Sequence, residues 1–108
     1  MKLKLIKFES VKSTNDKAIQ LIKKNKFAPS IITAKSQTKG RGTRGKKWIS
    51  KKGNLFISLF FEINSKDVKF NDFAALNPRI IKRVLAKYSK HRISIKWPND
   101  LLVKKRKL

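Results

Sequence analysis

The stretch Gly40-Arg41-Gly42-Thr43-Arg44-Gly45-Lys46-Lys47-Trp48 packs three glycines and four basic residues into nine positions. Glycine has no Cβ, so backbone built from it closes tightly on a ligand. Guanidinium and ammonium groups supply charge for phosphate or carboxylate oxygens. Trp48 offers a flat face for an adenine, or an anchor that closes the loop onto the core. Positions 40, 42 and 45 fit GxGxxG in form. No strand runs directly into them and no amphipathic helix follows, so a dinucleotide fold is rejected. GxxxxGK[ST] is absent, which excludes a P-loop.

Two further stretches flank this one. Ser13-Thr14-Asn15 precedes a helical run, and Lys96-Trp97-Pro98-Asn99-Asp100 follows an apolar strand. Taken singly, the first is a helix cap and the second a proline-set turn. Their joint occurrence, in this order, is what points beyond ordinary local structure.

Working outward, Leu3, Leu5 and Ile6 to Phe8 predict a first strand. Ser13 then caps a helix with Asp16 in its first turn, favoured by the helix dipole. Ala18, Ile19, Leu21 and Ile22 form the apolar face, and the helix ends near Lys26, before Pro29. Ile31 to Thr33 begin a second strand. Residues 36–53 hold all four glycines and show no periodicity, which predicts a long loop. Leu55 to Ile63 is apolar on both faces and predicts a central strand covered on both sides. Asp72 is expected to cap the next helix, with Phe73, Leu76, Ile80, Val84 and Tyr88 facing the core. The apolar phase runs across Pro78, so one kinked helix is expected. Ile93, Ile95 and Trp97 predict another strand, Pro98 to Asp100 a turn, and Leu101 to Val103 a strand. Lys104-Lys105 form a hairpin turn into a strand starting at Arg106. The order β-α-β-loop-β-α-β-β predicts one α+β domain around a sheet.

The chain has 108 residues, 40% of them hydrophobic, enough for one small domain. It has no cysteine, so neither disulfides nor thiolate metal sites arise, and its one histidine, His91, argues against a histidine-rich metal site. No apolar run approaches the roughly 18 residues of a membrane span, and the N-terminus alternates like a strand rather than a signal peptide. A cytoplasmic protein without a membrane partner is expected. The net charge is +23, from 29 basic and 6 acidic residues. Such a chain attracts polyanions. The lysines are spread along its whole length, which favours compositional drift plus ATP affinity over a dedicated nucleic-acid role. Residues 35–52 stand out with eight basic residues and no acid.

The three motifs together resemble the catalytic domain of biotin–protein ligases, over about Phe8 to Leu108. The resemblance implies a mixed, mainly antiparallel sheet flanked by helices, related to class II aminoacyl-tRNA synthetases. It implies a two-step reaction: biotin and ATP give biotinyl-5′-adenylate, and a lysine of a biotin carboxyl carrier protein, an acetyl-CoA carboxylase subunit, then takes the biotin. Ser13, Thr14 and Asn15 are implied to contact biotin, with Gln37, Gly40, Arg41, Gly42 and Thr43 along its path. Thr43 stands where the family often has an arginine. Arg41, Arg44, Trp48, Lys96 and Asn99 are implied on the ATP side. Lys107, in the place of an active-site lysine, is implied to bridge the biotin carboxylate and the α-phosphate, and with Arg41 forms the catalytic pair. Mg²⁺ is expected with ATP, and no metal-ligand set is assigned. The family's later strands, its C-terminal β-barrel and its DNA-binding helices are expected to lie outside residues 1–108, which are read as the N-terminal portion of a truncated catalytic domain, impaired in ligation. Two alternatives stand beside this one. A lipoate- or octanoate-type protein ligase shares the fold, and a basic, non-specific nucleic-acid-binding module rests on charge alone.

Overall fold

A computed structural model of the chain describes residues 2–64, 66 and 69–108, with the side chain of residue 70 left aside. They fall into two compact units that divide between Glu62 and Ile63.

The first unit is organised by a long strand, Ser30–Arg41. Strand β1 (Lys4–Val11) runs parallel to it, Lys4 opposite Ser30 and Val11 opposite Gln37. Parallel neighbours need a crossover, supplied here by helix α1 (Thr14–Lys23) on the way to β2 (Ser30–Arg41). Ser13 caps α1 as its sequence predicts, its hydroxyl accepting the Asp16 N–H at 3.2 Å. The helix stops at Lys23, earlier than expected, with Asn25 at φ 58°. The other edge of β2 carries two antiparallel strands in succession. Strand β3 (Lys47–Ser50) pairs with Gln37 to Arg41, and β4 (Phe56–Phe60) pairs with Ser30 to Ala34.

Residues 36–53 are therefore not the structureless loop expected. Most of them form a β2–β3 hairpin, closed by a short 3₁₀ turn at Thr43–Gly45. Backbone pairing holds this hairpin, and its polar side chains leave no apolar period to read.

Strand β4 also departs from expectation. It pairs with β2 alone among the described strands. Phe56 is buried, whereas Leu55, Ile57 and Leu59 are exposed. Only the Phe56-Ser58-Phe60 face is covered, by α1. The core of the unit is Ile32, with no exposed surface, together with Ala18, Ala34 and Phe56.

In the second unit, helix α2 (Phe70–Ala86) runs uninterrupted through Pro78 and packs against β5 (Ile93–Lys96) and β6 (Asp100–Val103). With β7 (Arg106–Lys107) these strands form an antiparallel meander. The described strands form a four-stranded sheet in the first unit and a three-stranded sheet in the second. Asp72 is not the cap of α2: the cap position is Lys69, without a side-chain bond, and Asp72 sits in the first turn. Leu76, Ile80, Val84 and Tyr88, expected to face the core, are exposed, and among the described side chains of the helix Pro78 is the buried one. Helical periodicity marks a face but not what covers it. The expected Lys104-Lys105 turn is present, both residues at positive φ, as a two-residue hairpin with a type I′ twist requires.

Candidate functional site

In the first unit the N-terminus of α1 meets the middle of β2 and β4. Ser13 and Thr14 are buried polar residues, 3% and 4% exposed. A buried polar group needs partners, and here they come from α1 itself and from two strands, with a third strand joined through Gln37. The Thr14 N–H donates to Gln37 Oε1 at 2.8 Å. The Thr14 and Ser58 hydroxyls lie 2.8 Å apart. Gln37 Nε2 donates to Ser50 Oγ at 2.9 Å, and that hydroxyl donates to the Trp48 carbonyl at 3.0 Å. One chain of hydrogen bonds thus links α1, β2, β3 and β4.

This chain lines a cleft of about 350 Å³ with Ser13, Thr14, Asn15, Gln37, Arg41, Trp48, Phe56 and Ser58 among its walls. One wall is hydroxyl and amide, another aromatic and aliphatic. Arg41 sits at its edge and pairs with Asp16, both about half exposed. A larger groove of about 790 Å³ continues along the hairpin, past Lys39, Gly40, Lys46 and Trp48.

Gly40 has no room for a side chain. A Cβ there would run into Ser50 Oγ and the Trp48 carbonyl, and would lie 3.0 Å from Gln37 Nε2. Its absence lets β2 and β3 close while Gln37 reaches Ser50. Between Gln37 and Gly40, β2 carries one residue more than β3 opposite it, and such a bulge re-aims side chains. Past it, the Gly42 N–H donates to the Lys46 carbonyl at 2.7 Å, and Arg44 takes the left-handed conformation at φ 56°.

In the second unit, Lys96 and Asp100 are cross-strand neighbours at the β5–β6 turn, with Asn99 between them. The Lys107 ammonium lies 3.1 Å from the Asp100 carboxylate. Among the described residues, no group of three or more His, Cys, Asp or Glu gathers as metal ligands do, and no helix is long and apolar enough to cross a membrane.

The structure brings Ser13, Thr14, Asn15, Gln37, Arg41 and Trp48 to one cleft. It sets Gly40 beside them and puts Gly42, Thr43 and Arg44 at the hairpin tip, outside that lining. Lys96, Asn99 and Lys107 gather within the other unit. Sequence reasoning missed Ser50 and Ser58. The signal for Ser58 was present: it is the one polar residue between Leu55 and Phe61, and a lone hydroxyl on an apolar strand has a partner.

Known proteins match this arrangement. The model of the biotin/lipoate A/B protein ligase family covers residues 7–108. The bifunctional ligase/repressor BirA of Escherichia coli (strain K12) is 33% identical over 99 residues, 91% of this chain and 30% of that protein. Among solved structures, the biotin acetyl coenzyme A carboxylase synthetase from Helicobacter pylori, with bound biotinylated ATP, is 31% identical. It superimposes with a TM-score of 0.80, covering 98% of this chain and 52% of that one. The biotin protein ligase from Aquifex aeolicus, in complex with biotin and ATP, gives 0.79 at 30% identity, covering 96% and 43%. The chain spans about a third of the length of the curated relative and about half of the solved ones. The α+β fold is, over that span, the fold of those proteins.

Proposed function

The chain belongs to the biotin/lipoate A/B protein ligase family, and on that premise we propose that it serves ATP-dependent ligation of biotin to a carrier-protein lysine. The observation that carries this is the polar cradle Thr14–Gln37–Ser50–Ser58 beside Arg41 and Trp48. The resemblance to structures whose bound ligands are biotin with ATP and biotinylated ATP supports it.

Each residue then has a task. Hydroxyl and amide groups of Ser13, Thr14, Asn15, Gln37 and Ser58 suit a ureido ring, which both donates and accepts hydrogen bonds. Phe56 and Trp48 suit an apolar chain and a flat base. Gly40, Gly42 and Thr43 shape the approach of the backbone. The biotin carboxylate oxygen attacks the α-phosphorus of ATP, the bond to the bridging oxygen breaks, and pyrophosphate leaves. The carrier lysine's amine then attacks the acyl carbon, AMP leaves, and the amine proton passes to solvent. Arg41 and Arg44 offset the phosphate charge that builds in the first step. Asp16 pairs with Arg41 until a phosphate competes for it. Lys96 and Asn99 take the nucleotide side, and Lys107 takes the carboxylate and α-phosphate. Mg²⁺ arrives with ATP, held by phosphate oxygens and water. The carrier is a biotin carboxyl carrier protein, the residues are the N-terminal portion of the catalytic domain, and the compartment is the cytoplasm, where ATP is present.

A lipoate-type substrate suits this cradle less well. Its dithiolane ring has no hydrogen-bonding groups and gains nothing from the hydroxyls and amides that line the cleft, whereas a ureido ring can both donate to and accept from them. Calorimetry with non-hydrolysable biotinyl- and lipoyl-adenylate analogues tests the assignment. Tighter binding of the biotinyl compound is expected, weakened by Thr14→Val. Equal affinity, or preference for the lipoyl compound, would overturn it.

A further inference from the structure

Lysine outnumbers arginine in this chain by about four to one, 23 (the 29 basic residues less six) to six. The six arginines are not scattered. Arg41 and Arg44 lie on the glycine hairpin, and Arg106 is on β7. The other three meet in one cleft of the second unit.

That cleft, of about 610 Å³, is lined by Arg79, Lys82, Arg83 and Ala86 of α2 and by Arg92, Ser94, Ile95 and Trp97 around β5. The α2 positions lie three, four and seven residues apart and share one helix face. Among the described residues no carboxylate lines the cleft, although Arg79 and Arg83 are like charges at a spacing that weakens a helix. The Arg79 guanidinium lies over the Trp97 ring, 5.4 Å from its centroid, and half of Trp97 is exposed.

Lysine drift alone does not produce this. A lysine ammonium is a solvated point charge, whereas arginine presents a planar fork that binds phosphate oxygens in pairs. Arginines concentrated where lysine is the common cation mark a place where the fork matters. The Arg79–Trp97 pair adds a flat platform of the kind on which nucleic-acid bases stack.

We propose that the α2–β5 cleft binds single-stranded nucleic acid without sequence preference, Arg79, Arg83 and Arg92 holding phosphates and the Trp97 platform stacking a base. The inference does not rest on the ligase assignment, because none of these four residues has a role there. It also differs from diffuse attraction by the +23 net charge, which has no preferred face.

Fluorescence anisotropy of a labelled oligo(dT) with the full chain tests it, in three comparisons. The variant Arg79→Gln/Arg83→Gln/Arg92→Gln is set against Lys23→Gln/Lys24→Gln/Lys26→Gln, which removes equal charge from the end of α1. The cleft variant is expected to lose about tenfold or more in affinity, with a salt slope shallower by about 2, from roughly 0.7 for each of three lost contacts. The α1 variant should lose less than about threefold. Equal losses in both would overturn the proposal in favour of diffuse charge. Should the triple cleft variant fold poorly by its urea midpoint, Arg83→Lys with Arg92→Lys keeps the charge and removes the fork. Weaker binding is expected there, and unchanged binding overturns. Finally, Trp97→Ala should weaken oligo(dT) but not poly-aspartate, and Trp97→Phe should retain oligo(dT). Poly-aspartate bound as tightly as oligo(dT), with Trp97→Ala without effect on either, would make the cleft an acidic-protein site and overturn the nucleic-acid assignment.

Discussion

The two halves of β2 are one strand with two vocations. From Ser30 to Ala34 it is flanked on both edges by β1 and β4, and contributes Ile32 and Ala34 to the core. From Gln37 to Arg41 it pairs with β3, carries a bulge, and turns amide, glycine and guanidinium groups toward a cleft. The first half is apolar and regular because burial rewards a period of two. The second is polar and irregular because its side chains serve one another and a ligand. Stability and chemistry are thus divided along a single backbone, and each half anchors the other.

If that division holds, substitutions in the two halves separate stability from binding. Ile32→Ala leaves a cavity in the most enclosed site of the unit, and about 2–5 kcal/mol of stability should be lost, read from urea unfolding. A loss below about 1 kcal/mol would place the core elsewhere. Arg41→Ala is the opposite case. Its pair with Asp16 is half exposed and contributes little to folding. Affinity for a biotinyl-adenylate analogue should fall about tenfold to a hundredfold, as for one charge-assisted bond of about 1.5–3 kcal/mol, with the unfolding midpoint nearly unchanged. Unaltered affinity would remove Arg41 from the site.

Gly40→Ala sharpens the boundary. The new Cβ meets Ser50 and backbone, which yield less readily than a flexible side-chain end. About 1–3 kcal/mol of stability should go, along with ligand binding, because Gln37 can no longer reach Ser50. Full binding with normal stability would mean that the hairpin shifts freely. The smallest effect is expected at the junction of the halves, where Lys35 pairs with Glu9 at 3.0 Å, both well exposed. Lys35→Gln should cost less than about 1 kcal/mol and leave ligand affinity alone. A larger loss in chemical denaturation would show that the two halves are coupled through their surface.

The same division explains what the sequence disclosed. Strand β1, the Ser13 cap and the Lys104-Lys105 turn were legible because each depends on local chemistry: alternation, a hydroxyl before a helix, a turn between strands. The β2–β3 hairpin was not, because pairing between backbones leaves no trace in Thr38, Lys39 or Gly40. Strand β4 was recognised as a strand but its surroundings were not, since Leu55, Ile57 and Leu59 look alike in sequence whether covered or exposed. The apolar stripe of α2 misled for the same reason. Ser13 to Asn15, Gln37, Arg41 and Trp48, which line the cleft, were singled out through the family resemblance that their motifs carry. Ser50 and Ser58 carry no motif and are defined only by what folding places opposite them.

The hydrogen-bond chain from Thr14 through Gln37 to Ser50, with Ser58 alongside, joins residues from four elements spread between positions 14 and 58. No single helix or strand of the unit contains it. A ligand seated there therefore meets its contacts only once α1, β2, β3 and β4 have come together, and has nothing to bind in the unfolded chain. By mass action, ligand at a hundred times its dissociation constant raises the unfolding free energy by about 2.7 kcal/mol. The cleft is in this sense a thermodynamic lock on its own sheet, and a rise in melting temperature on adding ligand counts assembled molecules before any turnover is measured.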